Sequence, residues 1–152
     1  MIKRNRKIGD KKPALKHITK TKVRFSEVDS MQVVWHGVYV RYFEDGREAF
    51  GHKYSGVGYM DFYANGYTAP IVDLQLQYVA SLKVNDVAII ETRFINTEAA
   101  KLCFEYIIYR ESDGALVARG SSVQVFVDLE GNMVLNNPVF FEKWKEKWLK
   151  EE

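Results

Sequence analysis

The sequence predicts an α+β domain in which a five-stranded antiparallel sheet wraps around one long helix and a second helix closes the chain. Three observations predict it. Apolar residues recur at helical spacing over residues 38–54, β-patterned segments follow one another from residue 67 onward, and a proline opens an apolar-sided segment near the end. At 152 residues and 47% apolar, with nine Phe, nine Tyr and three Trp, the chain has material for one core, so a single domain is expected. We place it at residues 18–152, after a basic tail over residues 1–17.

Each element has its own reason. Residues 17–28 hold Ile18, Thr19, Thr21, Val23 and Phe25 and read as a strand that breaks at residues 26–30. Tyr39, Tyr42, Phe43, Gly46, Phe50 and Tyr54 then recur at intervals of three and four, giving an amphipathic helix of about four turns. Gly46 lies on its apolar stripe, where glycine costs roughly 1 kcal/mol against alanine, and this predicts a close approach to a neighbouring element. The helix ends near Ser55-Gly56, and residues 57–65 form a short irregular or helical piece. Strands follow over residues 69–80, 86–97, 101–110 and 115–129, with hairpin turns at Ser112-Asp113-Gly114 and Glu130-Gly131-Asn132. Pro138 opens the last helix, whose apolar side carries Phe140, Phe141, Trp144, Trp148 and Leu149. One helix cannot cover both faces of such a sheet, nor both its edges, so a homodimer or larger symmetric assembly such as a tetramer is expected.

Charge and motif content narrow the function. The net charge is +2, but residues 1–22 contain nine Lys or Arg against Asp10 and so carry +8, which leaves the remainder at −6. The tail is read as a solvated arm, and the body lacks the interleaved aromatic and basic residues of a nucleic-acid platform, so no nucleic-acid partner is expected. No apolar run approaches the ~20 residues that span a bilayer, and the N-terminal charges precede no signal-peptide block. The expectation is a cytoplasmic protein without stable membrane insertion. The lone Cys103 sits mid-strand and reads as an inert thiol. There is no G-x-S-x-G, H-E-x-x-H, Walker-type loop or dinucleotide fingerprint, and His17, His36 and His52 are too dispersed to suggest a metal site.

What remains is the stretch that joins the first strand to the helix. Asp29 lies seven residues before His36 and the helix start near Gly37. A helix N-terminus has unpaired N–H groups and about half a positive charge, which suits a carbonyl oxygen turning into an oxyanion. A nearby carboxylate can attack that carbonyl or deprotonate a water. On spacing alone, Asp29 is equally a turn residue bonded to its own backbone, and His36 is more often an ordinary first-turn residue.

The run from Val23 to Phe50, which contains R-F-S-E-V-D-S-M-Q-V-V-W-H-G-V-Y, resembles the N-terminal signature of the hotdog-fold acyl-CoA thioesterases, in particular the 4-hydroxybenzoyl-CoA thioesterase family and its Tol-Pal-associated relatives. Thr68-Ala-Pro-Ile-Val and the segment from Gln77 to Thr92 extend the resemblance, which spans about residues 18–130. It implies a sheet wrapped around the long helix, dimers with a continuous sheet, and active sites between subunits. It further implies acyl-CoA hydrolysis to free acid and CoA, with Asp29 as the catalytic carboxylate, a backbone N–H near His36 and Gly37 polarising the carbonyl, and the His36 side chain placing water or substrate. Coenzyme A is part of the substrate and no separate cofactor is implied. Tyr39 and Glu44 match family positions as well. Tyr42, Phe62, Tyr63 and Tyr67 are candidates for an acyl tunnel, and Arg93, Lys101 and Arg110 for the CoA phosphates. Gln32 stands where many relatives have glycine, and Val38 where many have asparagine. An acyl-carrier-protein thioesterase and a non-catalytic acyl-CoA-binding protein are the alternative readings.

Overall fold

A computed structural model describes residues 7–150. The chain runs through β1 (Leu15–Lys22), a 3-10 turn (Phe25–Glu27), α1 (Val38–Lys53), α2 (Tyr59–Ala64), β2 (Tyr67–Thr68), β3 (Ile71–Tyr78), β4 (Val87–Ile95), β5 (Lys101–Arg110), β6 (Leu116–Val125), β7 (Val127–Asp128) and α3 (Val139–Trp148). The five long strands form one antiparallel sheet in the order β1-β4-β5-β6-β3, and β2 pairs with β7 in a separate two-stranded ribbon. β4, β5 and β6 are a meander, so the strands that flank α1 and α2 in sequence, β1 and β3, become the two sheet edges.

The inner face of the sheet holds the core. Ile90, Phe94, Phe104, Tyr106 and Ile108 are buried against the apolar stripe of α1, which contributes Val38, Tyr39, Tyr42, Phe43 and Phe50. Phe43 stacks on Tyr106 with ring centroids 4.3 Å apart, an arrangement worth about 0.5–1.5 kcal/mol beyond its burial. Gly120 on β6 makes room for it, since a Cβ there would stand 2.6 Å from the Gln75 carbonyl oxygen and overlap the Phe43 ring. Gly46 meets the expectation of a close approach: its absent Cβ would overlap Thr92 Oγ1 on β4. α3 closes the far end of α1, where Trp144 Nε1 donates to the Tyr54 carbonyl (2.8 Å) and Trp148 Nε1 to the Ser55 carbonyl (3.1 Å).

The expected element order is the observed one, with shifts at the ends. The first strand starts at Leu15, inside the span read as tail, and stops at Lys22, because Val23 already pairs with the loop before β4: its N–H donates to the Asp86 carbonyl. Residues 9–14, though largely exposed, are tied to the sheet by hydrogen bonds. Gly9 N–H donates to Glu105 (2.7 Å), Arg93 donates to the Lys11 carbonyl (2.8 Å), and Ala14 N–H to the Phe94 carbonyl (2.9 Å). Lys3, Arg4 and Arg6 of the basic arm fall outside the described residues. The long last strand expected over residues 115–129 is split at the buried Phe126, after which the chain leaves the main sheet for the β2–β7 ribbon. No described helix is long and apolar enough to cross a membrane.

Candidate active site

The loop from Val23 to Gly37 is a small hairpin rather than an open connection. Val28 bridges Val34, Trp35 N–H donates to the Glu27 carbonyl (3.1 Å), and Asp29 N–H donates to the Val33 carbonyl (2.9 Å). A second seam ties this hairpin to the body, through Val34 N–H to the Leu82 carbonyl and a bridge from Val33 to Lys83. The tip is tight: Gln32 has φ 65°, the left-handed region that favours glycine, which explains why a relative would carry glycine there.

Asp29 stands at that tip, exposed in the single chain. Its Oδ1 accepts the Met31 N–H (2.8 Å), so the turn role is realised, and its Oδ2 has no partner among the described residues. Gly37 is the N-cap of α1 and no side chain caps this end; the Val38 N–H turns back onto the Trp35 carbonyl (3.1 Å). Glycine is required here because a Cβ would overlap the Trp35 ring. His36 is exposed, its ring edge-on to Trp35 at 5.4 Å, and its carbonyl accepts the Tyr78 hydroxyl (2.7 Å). The structure thus joins His36 and Gly37 at the helix tip and puts Asp29 on the adjacent hairpin. No hydrogen bond links Asp29 to His36 among the described residues.

One carboxylate escapes the sequence reading. Glu27 is buried beneath the hairpin, where Oε1 accepts from the Arg24 N–H (2.8 Å) and the Tyr42 hydroxyl (3.2 Å), with the Arg41 guanidinium 3.7 Å from Oε2. Burial, then the Glu27 charge, pushes the Tyr42 phenol far above its ordinary value, so Tyr42 remains a donor. Its role is to bind the hairpin to α1. The only sequence signal is a second acid two residues before Asp29, which carries no spacing of its own.

A cavity of about 830 Å³ opens further along α1, between that helix, α2 and the sheet. Phe50, Phe62, Leu102 and Phe104 form its apolar wall, Arg47, Gln124, Glu48, His52 and Asp61 contribute polar groups, and Thr68-Ala69-Pro70 also line it. Of the four aromatics proposed for a tunnel, Phe62 lines it. Tyr42 is committed to Glu27, Tyr63 is exposed, and Tyr67 packs with Phe126 and Phe140. Tyr39 packs between Tyr42 and Tyr78, and Glu44 lines the cavity. Two of the three cations proposed for CoA phosphates are already engaged: Arg93 with Glu91 (2.9 Å) and the Lys11 carbonyl, Arg110 with Asp113 (2.8 Å) and the Ser81 carbonyl. Cys103 is half-buried and its thiol is pushed up by burial, which keeps it unreactive.

This geometry has counterparts among known proteins. The chain is 30% identical over 134 residues to the Bacillus subtilis (strain 168) protein named "Putative acyl-CoA thioesterase YneP", covering 87% of this chain and 93% of that one. It is 25% identical over 112 residues to the Arabidopsis thaliana protein "Acyl-acyl carrier protein thioesterase ATL3, chloroplastic", covering 74% of this chain and 58% of the other. A DHNA-CoA thioesterase structure from Staphylococcus aureus superposes with a TM-score of 0.77 at 24% identity, over 87% of this chain and 89% of that one, which supports the hotdog fold. Residues 23–149, from the start of the hairpin to the end of α3, match the thioesterase-like superfamily, and the chain belongs to that family.

Proposed function

We infer that the protein is an acyl-CoA thioesterase whose reaction is carried out between the hairpin tip and the uncapped start of α1. The observation that carries this reading is an Asp29 oxygen without a partner among the described residues on the hairpin next to a helix N-terminus that no side chain caps, in a chain that aligns with nearly the full length of an acyl-CoA thioesterase relative. The carrier-protein thioesterase relative is matched over little more than half its length, so CoA esters are favoured.

In this reading the thioester carbonyl lies against the Gly37 N–H, where the helix end stabilises the oxyanion as it forms. Asp29 acts as general base toward water or as nucleophile, and the Met31 N–H on its other oxygen holds the carboxylate in place. The exposed His36 side chain orients water or substrate. The product is the free acid and CoA.

A second copy of the chain supplies the acyl pocket. β3 is an edge strand with Val72 58% and Leu74 40% exposed, and such an edge is stabilised by pairing with another strand. Two copies of β3 paired antiparallel about a two-fold axis set the Tyr78 end of one against the Ile71 end of the other. The Tyr78–His36 hydrogen bond puts the helix tip at the first end, and Thr68-Ala69-Pro70, which line the cavity and lead into Ile71, bring the cavity to the second. Asp29 and Gly37 of one protomer therefore face the cavity of its partner, and the exposed Asp29 becomes enclosed.

The test is hydrolysis of a panel of acyl-CoA and acyl-carrier thioesters, followed by release of free thiol, with Asp29→Asn alongside. Asparagine keeps the Oδ1 that accepts the Met31 N–H and replaces the charged second oxygen with a neutral NH2. The variant is expected to melt like the parent and to lose at least ~100-fold in turnover. Full activity in Asp29→Asn would remove this carboxylate from the mechanism.

A further inference from the structure

We propose that Glu27 is a positioning residue: through the hydrogen bond it accepts from Tyr42 it fixes where the Asp29 carboxylate stands relative to the start of α1. The proposal rests on the reading of the hairpin tip and the helix start as the reacting site, and it adds a residue that acts through them without reaching the substrate.

A carboxylate taken out of water is costly unless its partners compensate. Glu27 is only 8% exposed, and its compensation is thin. The Arg41 guanidinium stands 3.7 Å from Oε2, but it is itself exposed, so solvent screens the attraction. The bond from the Arg24 N–H to Oε1 is local: it closes the 3-10 turn, and an uncharged glutamine oxygen would accept it as well. The bond from the Tyr42 hydroxyl to the same oxygen (3.2 Å) is the one that leaves the turn and reaches α1. Stability alone gives little reason to bury a charge here, whereas a fixed link between hairpin and helix does.

The link joins the two halves of the reacting site. Glu27 and Asp29 lie on one strand of the hairpin, where the Glu27 carbonyl accepts the Trp35 N–H (3.1 Å) and the Asp29 N–H donates to the Val33 carbonyl (2.9 Å). The other strand runs directly into the helix. Its Trp35 carbonyl accepts the Val38 N–H (3.1 Å), and the Trp35 ring fills the space beside Gly37. Through the main chain, then, hairpin and helix are joined at one corner, about which the Asp29 strand is free to swing. Tyr42 lies four residues past Val38, about one helical turn, with its buried ring edge-on to Tyr39. Its bond to Glu27 is therefore a second attachment, set apart from the first, and two attachments define an orientation that one leaves open. The seam from Val33 and Val34 to Lys83 and Leu82 holds the strand away from Asp29. Loss of the Tyr42 bond should accordingly shift the carboxylate rather than unfold the hairpin.

The test is a double-mutant cycle in turnover, run on the intact protein with the acyl-CoA of the panel that it hydrolyses fastest. Tyr42→Phe keeps the buried ring and removes the donor. It is expected to lower kcat ~10-fold, to change KM by less than ~3-fold and to melt within a few degrees of the parent, a smaller loss than the ~100-fold that a full 1 Å misplacement brings. Because the link acts through Asp29, the same substitution added to Asp29→Asn is expected to cost less than ~2-fold more, whereas a residue that merely supports the fold would slow both backgrounds alike. Glu27→Ala removes the other end of the link, so combined with Tyr42→Phe it should lose no more than the worse of the two single variants. Glu27→Gln, which keeps an acceptor, should recover part of what Glu27→Ala loses. Unchanged turnover in Tyr42→Phe, an equal further loss on Asp29→Asn, or a rise in KM at constant kcat overturns the proposal and leaves the thioesterase reading standing. A parent protein that hydrolyses no thioester overturns both.

Discussion

At the scale of single residues, the hairpin tip shows how a turn residue can keep an oxygen for the chemistry proposed for it. Asp29 supplies the oxygen that closes the turn and keeps a second oxygen free, so the structural and chemical readings of its carboxylate are compatible. Gln32 is less well suited. A side chain at φ 65° costs roughly 1–2 kcal/mol that glycine avoids. Gln32→Gly is therefore expected to stabilise the fold by about 0.5–1 kcal/mol once the greater freedom of glycine in the unfolded chain is subtracted, read as a rise of a few degrees in melting temperature. Gly37 is the opposite case. Gly37→Ala puts a methyl into the Trp35 ring and moves the helix tip, so activity should fall more than stability, a contrast visible by comparing turnover with thermal melts.

At the scale of elements, the register of α1 on the sheet is set by where side chains are missing. Gly46 lets the helix lie against Thr92 and Ile90 of β4, and Gly46→Ala should cost about 1–3 kcal/mol, because the new Cβ would overlap Thr92 Oγ1 and stand 2.9 Å from Ile90 Cγ2. This contact was legible in the sequence, because a glycine inside a helix and on its apolar stripe loses stability unless a neighbour packs into the space it leaves. The opposite face of α1 carries an acidic cluster that spacing alone does not reveal. Partial desolvation raises the Asp45 carboxyl above its ordinary value, and the Glu48, Glu27 and Glu44 charges add to it. The folded state then binds more protons than the unfolded state from about pH 3.8 upward, so stability attributable to Asp45 declines as pH rises through that range. Asp45→Asn should melt with the parent at pH 3 and above it at pH 7, as a pair of thermal melts would show.

At the scale of the whole molecule, what was legible followed from periodicity, and what was not followed from contacts distant in sequence. The strand from Lys101 to Arg110 and the helix from Val38 coincide with their sequence patterns, since each buries one face continuously. The N-terminal arm reads as free tail because its anchors, Glu105 and Arg93, lie about ninety residues away and leave no local trace. The cavity is only partly foreseen for the same reason: Phe62 is among the sequence candidates, but Arg47 and Gln124 meet only once α1 and β6 are folded together. The proposed assembly rests on the two edges of the sheet. β1 at one edge of the sheet carries Lys16, Lys20 and Lys22 on its exposed positions, charges that discourage pairing, whereas β3 at the other presents Val72 and Leu74. Ile18 is the one exposed apolar residue in that row of β1, so the β3 edge is the better suited to a second copy. Leu74→Lys combined with Val72→Lys places like charges on both sides of the two-fold axis and should yield a monomer by light scattering. If each active site takes its helix tip from one protomer and its cavity from the other, that monomer should keep its fold by circular dichroism and lose at least ~100-fold in thioester turnover, the scale of catalysis that depends on positioning. A folded monomer with full activity would show that each chain carries a complete site, and would place the acyl group elsewhere than in the partner's cavity.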